Sequence, residues 1–598
     1  MTDIDEGSIG LPEFQRDFRW EEDRIRSLLA SIASGFPIGT LMSLESGGEV
    51  RFKTRPLQGA PALGPSGPSS LILDGQQRLT SLYQVLKSNS IVQTLDKRKK
   101  PIERWFYIDM REAVDPNGDL EDAIFTVDKS KTKFRADRSV ECDLSTIGEE
   151  VERGFFPLSV IYDWPALNAW QQAFQDTSRS DLAERTELWL KFQTGVIQEL
   201  QTYSIPVIKL GRDTTREAVC RVFEKVNTGG VPLDVFELVT AAFAADEFDL
   251  RADWKARQES FRENAYLAPL LAAVENTFFL QAISLVESYE RRVAQASRGV
   301  EGDRLSPVTC KRKDILALSV EDYSRHAATV AKAFRSAAKM LHGLSMFDKR
   351  DLPYATQLVP LAAVLAILDA EAESAAAQEK LSQWFWCGVF GELYGGAVET
   401  RFARDVQDLV SWIRTGGTEP RTIADSTFAA SRLLTLRTRN SAAYKGIHAL
   451  LMKAGCADFR TRSRIEIDTY VDDAIDIHHI FPKKWCTDAG LPSSKYDSII
   501  NKTAISARTN RSIGGQAPSL YLGALERDAG IEGHELDQLL RTHRIDPGLL
   551  RADDFDSFFN HRGAELVQLV ETATQRTVTR DLENPSGEDL NDYEADTD

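Results

Sequence analysis

The sequence has no pair of cysteines close enough to form a metal knuckle. Its six cysteines, Cys142, Cys220, Cys310, Cys387, Cys456 and Cys486, stand far apart and read as buried thiols, not as a disulfide framework. No Walker A sequence occurs, so any hydrolysis of a nucleoside triphosphate is not of the P-loop kind. Long apolar runs are missing too. The longest, Leu361–Leu368 with its flanks, is interrupted by Pro360 and stopped by Asp369, short of the roughly 20 residues that cross a bilayer, and no membrane partner is expected. The start, MTDIDEGSIG, lacks a basic segment followed by an apolar one, which predicts no secretory signal and a cytoplasmic protein. Positive charge is scarce overall. A formal net charge of -18 argues at first against a polyanionic partner, which Lys and Arg must neutralise.

What the chain does hold is unevenly placed. Its 598 residues, 42% hydrophobic and 27% charged, have the composition of a globular protein too long for one core, so three or four folded units are expected. Between Arg432 and Arg511 there are 14 Lys and Arg against 8 Asp and Glu, a basic stretch in an acidic chain. The end, DLENPSGEDLNDYEADTD (581–598), is acidic and poor in apolar residues, the composition of a disordered tail. The first segment reads as an extended LPEFQRDFRW, an amphipathic helix over 22–34 carried by Ile25, Leu28, Leu29 and Ile32, and a strand at about 38–45. A Pro-, Gly- and Ser-rich loop over 54–70 precedes the buried strand LILD, the turn Asp74-Gly75 and the helix QQRLTSLYQVLK. The basic segments KRKK (97–100) and DKSKTKFRADR (128–138) flank a strand, RWFYIDM, and read as solvated loops. YSIPVIKL (203–210) predicts another strand, 216–243 a helix, glycine turn and helix, and 245–455 is almost wholly helical without a sequence repeat.

Only eight histidines occur, and His478 and His479 stand together between VDDAID and Ile-Phe-Pro, inside the basic stretch. Successive side chains of a strand point to opposite faces. A strand that bends at the pair lets one imidazole bind a cation while the other activates water, the division of labour that phosphodiester hydrolysis requires. Pro482 ends that strand, SIINKTAIS (498–506) reads as a second, and ARTNRS (507–512) as a helix start that can return the Asn510 amide oxygen to the metal. Two blander readings stand beside this one. The pair could be polar residues at a strand end, or part of a structural zinc site, although the Cys and His ligands of a closed tetrahedral site are missing.

The order DIHHIFP, then Asn501, then Asn510 resembles the ββα-metal nucleases of the HNH class, in the variant found in GmrSD-type restriction endonucleases. The resemblance implies His479 as general base, His478 and Asn510 as ligands of a divalent metal (Mg or Mn first), and Asn501 as a structural residue tying loop to strand. Asp476 lies close by as a ligand or as an acceptor for an imidazole. The chain departs from the pattern in a long spacer, KKWCTDAGLPSSKYDSII (483–500).

Near the N-terminus, an Asp-Gly turn followed by Gln76, Gln77 and Arg78 offers helix N–H donors, amides and a fixed positive charge together. That makes either an anion site or an ordinary strand-turn-helix with polar caps. The upstream FQRDFRW repeats the residue types, with Gln15, Arg16 and Arg19 beside Trp20, whose ring could stack on a base. These segments, with RVFEKVNTGGVPLDVFEL (221–238) and its Phe223, Asn227, Gly229 and Gly230, resemble the amino-terminal domain of the same family, a ParB-like fold that binds and hydrolyses nucleoside triphosphates. The resemblance implies nucleotide contacts from Gln15, Arg16, Trp20, Asp74, Gly75, Gln76, Gln77, Arg78 and Asn227. Asp74 and Arg78 would serve hydrolysis, and the nucleotide would be GTP, ATP or UTP.

The expectation is therefore an α+β, multidomain chain. A ParB-like α/β NTPase domain covers 1–245, an all-α platform 246–430, an HNH nuclease of the ββα-metal kind 431–575, and an acidic tail 576–598. The resemblance implies modification-dependent nicking of phage or foreign DNA, sensing glucosylated or methylated cytosine or phosphorothioate linkages, with a homo-oligomer open. The rival is a nucleotide-switched DNA-binding regulator without nuclease activity. A phosphotransferase or phosphatase for small nucleotides is disfavoured, because a small substrate needs no extended basic surface.

Overall fold

A computed structural model describes the chain except at residues 16, 49–50, 89–90, 135–139, 177–178, 216–217, 220–221, 223–233, 439, 466–474 and 581–598. At residues 134, 179–180 and 475–477 it describes the backbone alone. The described chain divides into two compact units, Met1–Leu250 and Arg251–Asp598.

The first unit opens with β1 (Ile9–Pro12), α1 (Glu22–Ala33), β2 (Leu41–Glu45), β3 (Thr54–Arg55), β4 (Ser70–Asp74) and α2 (Gln76–Leu86). β5 (Val92–Leu95), β6 (Pro101–Asp109), β7 (Ile124–Val127) and β8 (Phe155–Pro157) follow, then β9 (Val207–Leu210) and α3 (Val235–Ala244). One sheet has the order β9-β2-β4-β1-β3, with β9 parallel to β2, β1 parallel to β4 and the other pairs antiparallel. A second, antiparallel sheet runs β8-β6-β5, with β7 also on β6. Leu71, Ile72 and Leu73 of β4 are all buried, as an unalternating apolar run predicts for a strand covered on both faces. α2 is a wedge. Its Leu82, Val85 and Leu86 share a core with Ile25, Leu28, Leu29 and Ile32 of α1, while Leu79 and Tyr83 pack with Leu11, Leu41 and Ile72 of the sheet. Apolar residues three and four apart thus fix the helix on two sides, and with it the turn at its N-terminus.

The second unit begins with helices, as expected. They include α4 (Asn276–Ser297), α5 (Val320–Gly343), α6 (Leu358–Leu368), α7 (Ala375–Phe390), α8 (Glu399–Thr415) and α9 (Ala442–Lys453). One expectation needs correcting. The helical run Ala355–Glu373, 19 residues with a mean hydropathy of 1.5, is long and apolar enough by length and composition to cross a membrane. Pro360 does not interrupt it, because it sits in the first turn of α6, where a backbone N–H has no intrahelical partner to lose. α6 packs against α4, α5 and α8 and is the core helix of the platform.

The unit continues through β10 (Ile475–His479), β11 (Lys502–Ser506), α10 (Ala507–Ile513), α11 (Pro518–Ala529) and α12 (Phe555–Thr574). α12 packs on α7 and α9, so platform and C-terminal segment belong to one body. The tail was expected from residue 576, but Arg576–Arg580 are held on the platform. Ala430 N donates to Thr579 O at 2.8 Å, and Arg576 pairs with Glu419 at 2.6 Å. The acidic segment 581–598 lies outside the described residues.

Candidate active site

β10 and β11 run antiparallel, with His478 opposite Thr503 and His479 opposite Lys502. The chain passes from β11 directly into α10, whose N-cap, Ser506, accepts from Thr509 N at 3.2 Å. Strand, strand and helix thus carry the three residues singled out in the sequence. His478 is buried, and its Nδ1 lies 2.7 Å from Asn510 Oδ1. His479, its side chain 26% exposed, places Nε2 2.9 Å from Asp497 Oδ1. Strand alternation explains why adjacent imidazoles meet different partners. Asp476 sits in β10 opposite Ile505, but its side chain lies outside the described residues.

Asn501 is fully buried. Its Oδ1 accepts from Phe481 N at 2.8 Å, and its Nδ2 donates to Phe481 O and Tyr496 O, both at 2.9 Å. The strand expected over 498–506 begins only at Lys502, because Ile499–Asn501 form a 3-10 turn. The cause lies in α12. The fully buried Arg562 guanidinium donates to the carbonyls of Ile499, Ile500 and His543, which takes those groups out of any ladder. The long spacer is folded as well: it holds helices Lys483–Asp488 and Ser493–Tyr496, and Trp485 packs on Phe481. Its last turn delivers Asp497 to His479.

Several supporting residues gave no signal in the sequence. Lys502 Nζ reaches Asp497 Oδ1 at 2.8 Å and Arg437 O at 2.7 Å. Asp458 accepts from Thr509 Oγ1 and Ser506 N, both at 2.7 Å, and so anchors the first turn of the helix that presents Asn510. Its partners stand 48 and 51 residues away in sequence, which no local pattern records. Burial lowers the His479 pKa against the opposing pull of Asp497, so the imidazole favours its neutral form. Burial also pushes the Asp497 carboxyl up, but the Lys502 and His479 bonds outweigh it and hold the group below its ordinary value.

His543 lies beneath β11. Its Nε2 is 2.8 Å from Ala457 O, which can only accept, so Nδ1 accepts from Thr503 Oγ1 at 2.7 Å. Burial pushes its pKa down to about 4. An unfolded chain protonates this histidine near pH 6.5, so its contribution to stability is complete above that value and is lost as pH falls to about 4. The loss is on the order of 3 kcal/mol. Urea unfolding midpoints should therefore fall more steeply between about pH 6.5 and 4 in the wild type than in a His543→Gln variant. Equal slopes would contradict the assignment.

The N-terminal segments meet in one cluster. Gln15 Nε2 donates to Ile72 O at 2.7 Å and Leu73 O at 3.1 Å, at the end of β4. Gln77 Oε1 accepts from Arg19 N at 2.8 Å, and its Nε2 donates to Asp17 O at 3.2 Å. Arg78 donates to Ile38 O at 2.6 Å and Thr40 O at 2.9 Å, and pairs with Asp74 at 3.2 Å. Gln77 and Arg78 thus brace the loops around the turn. Gln76 is buried, and Gln15 Oε1 is buried without a hydrogen-bond partner among the described residues. The Trp20 ring is half-buried against the α1 core, a packing role that the sequence did not suggest. Arg16, Phe223, Asn227, Gly229 and Gly230 lie outside the described residues.

Gly75 has φ +86°, and a Cβ there would stand 2.1 Å from Leu41 Cδ2. Gly75→Ala should cost about 1–3 kcal/mol from backbone strain alone. A lower melting temperature of the first unit would register it, and an unchanged one would contradict the turn geometry.

Residues 1–244 match the family model of the GmrSD restriction endonuclease, N-terminal domain. The chain is also similar to an uncharacterized protein, MJ0686, of Methanocaldococcus jannaschii, with 26% identity over 572 residues that cover 90% of this chain and 89% of that protein.

Proposed function

We propose that the chain, whose residues 1–244 match the GmrSD restriction endonuclease N-terminal domain, acts on DNA, and that the strand-strand-helix of the second unit is the nuclease and nicks one strand. The observation that carries this is the convergence of His478 Nδ1 and Asn510 Oδ1 to 2.7 Å, with His479 beside them on the other face of the strand.

The donor set fits a hard divalent cation. His478 Nδ1 and Asn510 Oδ1 would hold such an ion, which is commonly bound through one or two protein groups and otherwise by water and phosphate oxygens. One imidazole nitrogen and one amide oxygen suit Mg²⁺ or Mn²⁺, which keep waters and take phosphate oxygens, better than a closed zinc site of Cys and His ligands. When bound, such an ion polarises the scissile phosphate and stabilises charge on the leaving oxygen. His478 and Asn510 hold it, His479 takes the proton of the attacking water, and Asn501 keeps β10 and the spacer in place.

In the first unit, the turn at Asp74–Arg78 binds the phosphates of a nucleoside triphosphate and supports its hydrolysis. The first turn of α2, whose N-cap Gly75 has no capping side chain, supports this reading, and so does the buried Gln15 oxygen, which has no donor among the described residues. Hydrolysis makes cutting conditional on a mark such as glucosylated or methylated cytosine, or a phosphorothioate linkage. The test is nicking of plasmids with and without each mark, in the presence and absence of GTP, ATP and UTP. One mark and one nucleotide should change the rate together. If Asp74→Ala abolished triphosphate hydrolysis but left protection against phage and mark dependence unchanged, the coupling would be refuted.

A further inference from the structure

The spacer carries a carboxylate that no motif assigns. Asp497 Oδ1 is approached by His479 Nε2 at 2.9 Å and by Lys502 Nζ at 2.8 Å. Lys502 is buried, and its second bond, to Arg437 O at 2.7 Å, fixes where its ammonium sits. An ionised carboxylate can only accept, so the proton of a neutral His479 must reside on Nε2. That leaves Nδ1 as the ring atom with the free lone pair. We propose that Asp497 is the positioning residue of the nuclease site: it holds His479 in the Nε2–H tautomer and aims Nδ1 at the attacking water, with Lys502 fixing Asp497 in turn.

The proposal rests on the nuclease reading above and names the atom that does its work. A water proton passes to Nδ1 while the water oxygen forms a bond to phosphorus. The bond from phosphorus to the leaving sugar oxygen breaks, and that oxygen takes a proton from solvent. Without the carboxylate, the ring is free to rotate and to place its proton on either nitrogen, so only a fraction of molecules hold the base ready. The described partners of Asp497 Oδ1 are His479 and Lys502, and in this scheme the carboxylate has no part in holding DNA. The loss should therefore fall on kcat and spare KM.

Two measurements test this on the full chain. With [¹⁵N]histidine-labelled protein, long-range ¹H–¹⁵N spectra distinguish the tautomers, and the spectrum of His479→Ala assigns the ring. Wild-type His479 should show protonated Nε2 and bare Nδ1, and Asp497→Ala a mixture. In nicking assays, Asp497→Ala should lower kcat roughly 10- to 100-fold with KM unchanged. Asp497→Asn should retain activity within several-fold, because Lys502 holds the amide oxygen where both donors point. A proton on Nδ1 in the wild type, or Asp497→Ala cutting with the wild-type kcat, overturns the proposal. Should Asp497→Ala fail to fold, Asp497→Asn and the wild-type tautomer still decide it. Absence of nicking by the wild type would instead refute the nuclease reading, which the tautomer measurement does not touch, whereas full nicking by His479→Ala removes His479 from the chemistry and overturns the proposal.

Discussion

His479→Ala is expected to lower the rate of DNA nicking by about 10²- to 10⁴-fold, the usual worth of a positioned general base. The folded state should survive the change. His479 is partly exposed at the end of β10, and its one described side-chain bond is to Asp497, so truncation strands no fully buried donor. The loss of rate should come without loss of DNA binding, since the basic stretch between Arg432 and Arg511 is untouched. Filter binding or mobility shift of the variant against the wild type, beside plasmid nicking, separates the two effects. A variant that binds and does not cut supports the account. One that cuts at the wild-type rate removes His479 from the chemistry.

The second large effect is on stability. Arg562 is fully buried in α12, and burial pushes its pKa down to about 9, a sign of what the charge costs there. It remains because backbone carbonyls need it: it donates to those of Ile500 and His543, and to that of Ile499, which also accepts the Lys502 N–H. Arg562→Met keeps most of the volume and removes every donor. Each buried carbonyl left without a partner costs about 1–3 kcal/mol, partly offset by relief of the buried charge, so a net loss of about 3 kcal/mol is expected. The turn Ile499–Asn501 should loosen with it, releasing Phe481 from the Asn501 side chain and β10 from its register. Thermal unfolding should show the melting temperature falling by several degrees, together with loss of nicking. An unchanged melting temperature would mean that water satisfies these carbonyls and that Arg562 is no clamp.

Much of the scaffold was legible because it obeys local rules. The spacing of Ile25, Leu28, Leu29 and Ile32 marks α1, the run Leu71–Leu73 marks a strand buried on both faces, and Asp74-Gly75 marks the turn. The pairing of His478 with Asn510 was also readable, since histidine pairs are rare in this chain and a strand-strand-helix order brings the asparagine back. Long-range bonds were not readable. Lys502 meets Asp497 only because β-register sets it opposite His479, and register is a property of two strands, not of one segment. Asp458 and Arg562 act on backbone groups far away in sequence, where neither composition nor period leaves a trace. The break at Pro360 was read wrongly for a related reason. A proline stops a helix in its interior but fits its first turn, and only the boundary of α6 tells the two apart.

In the proposed nuclease, His478 and Asn510 hold a divalent ion at which DNA is cut. Conversion of supercoiled plasmid bearing the sensed mark to open circles, by the wild type and by Asn510→Ala, in Mg²⁺ or Mn²⁺ and then in excess chelator, tests it most directly. The account predicts nicking by the wild type that the chelator abolishes, and little or none by Asn510→Ala until the ion concentration is raised well above that needed by the wild type. Nicking that persists in chelator, or an Asn510→Ala variant with unchanged rate and unchanged ion requirement, would contradict it.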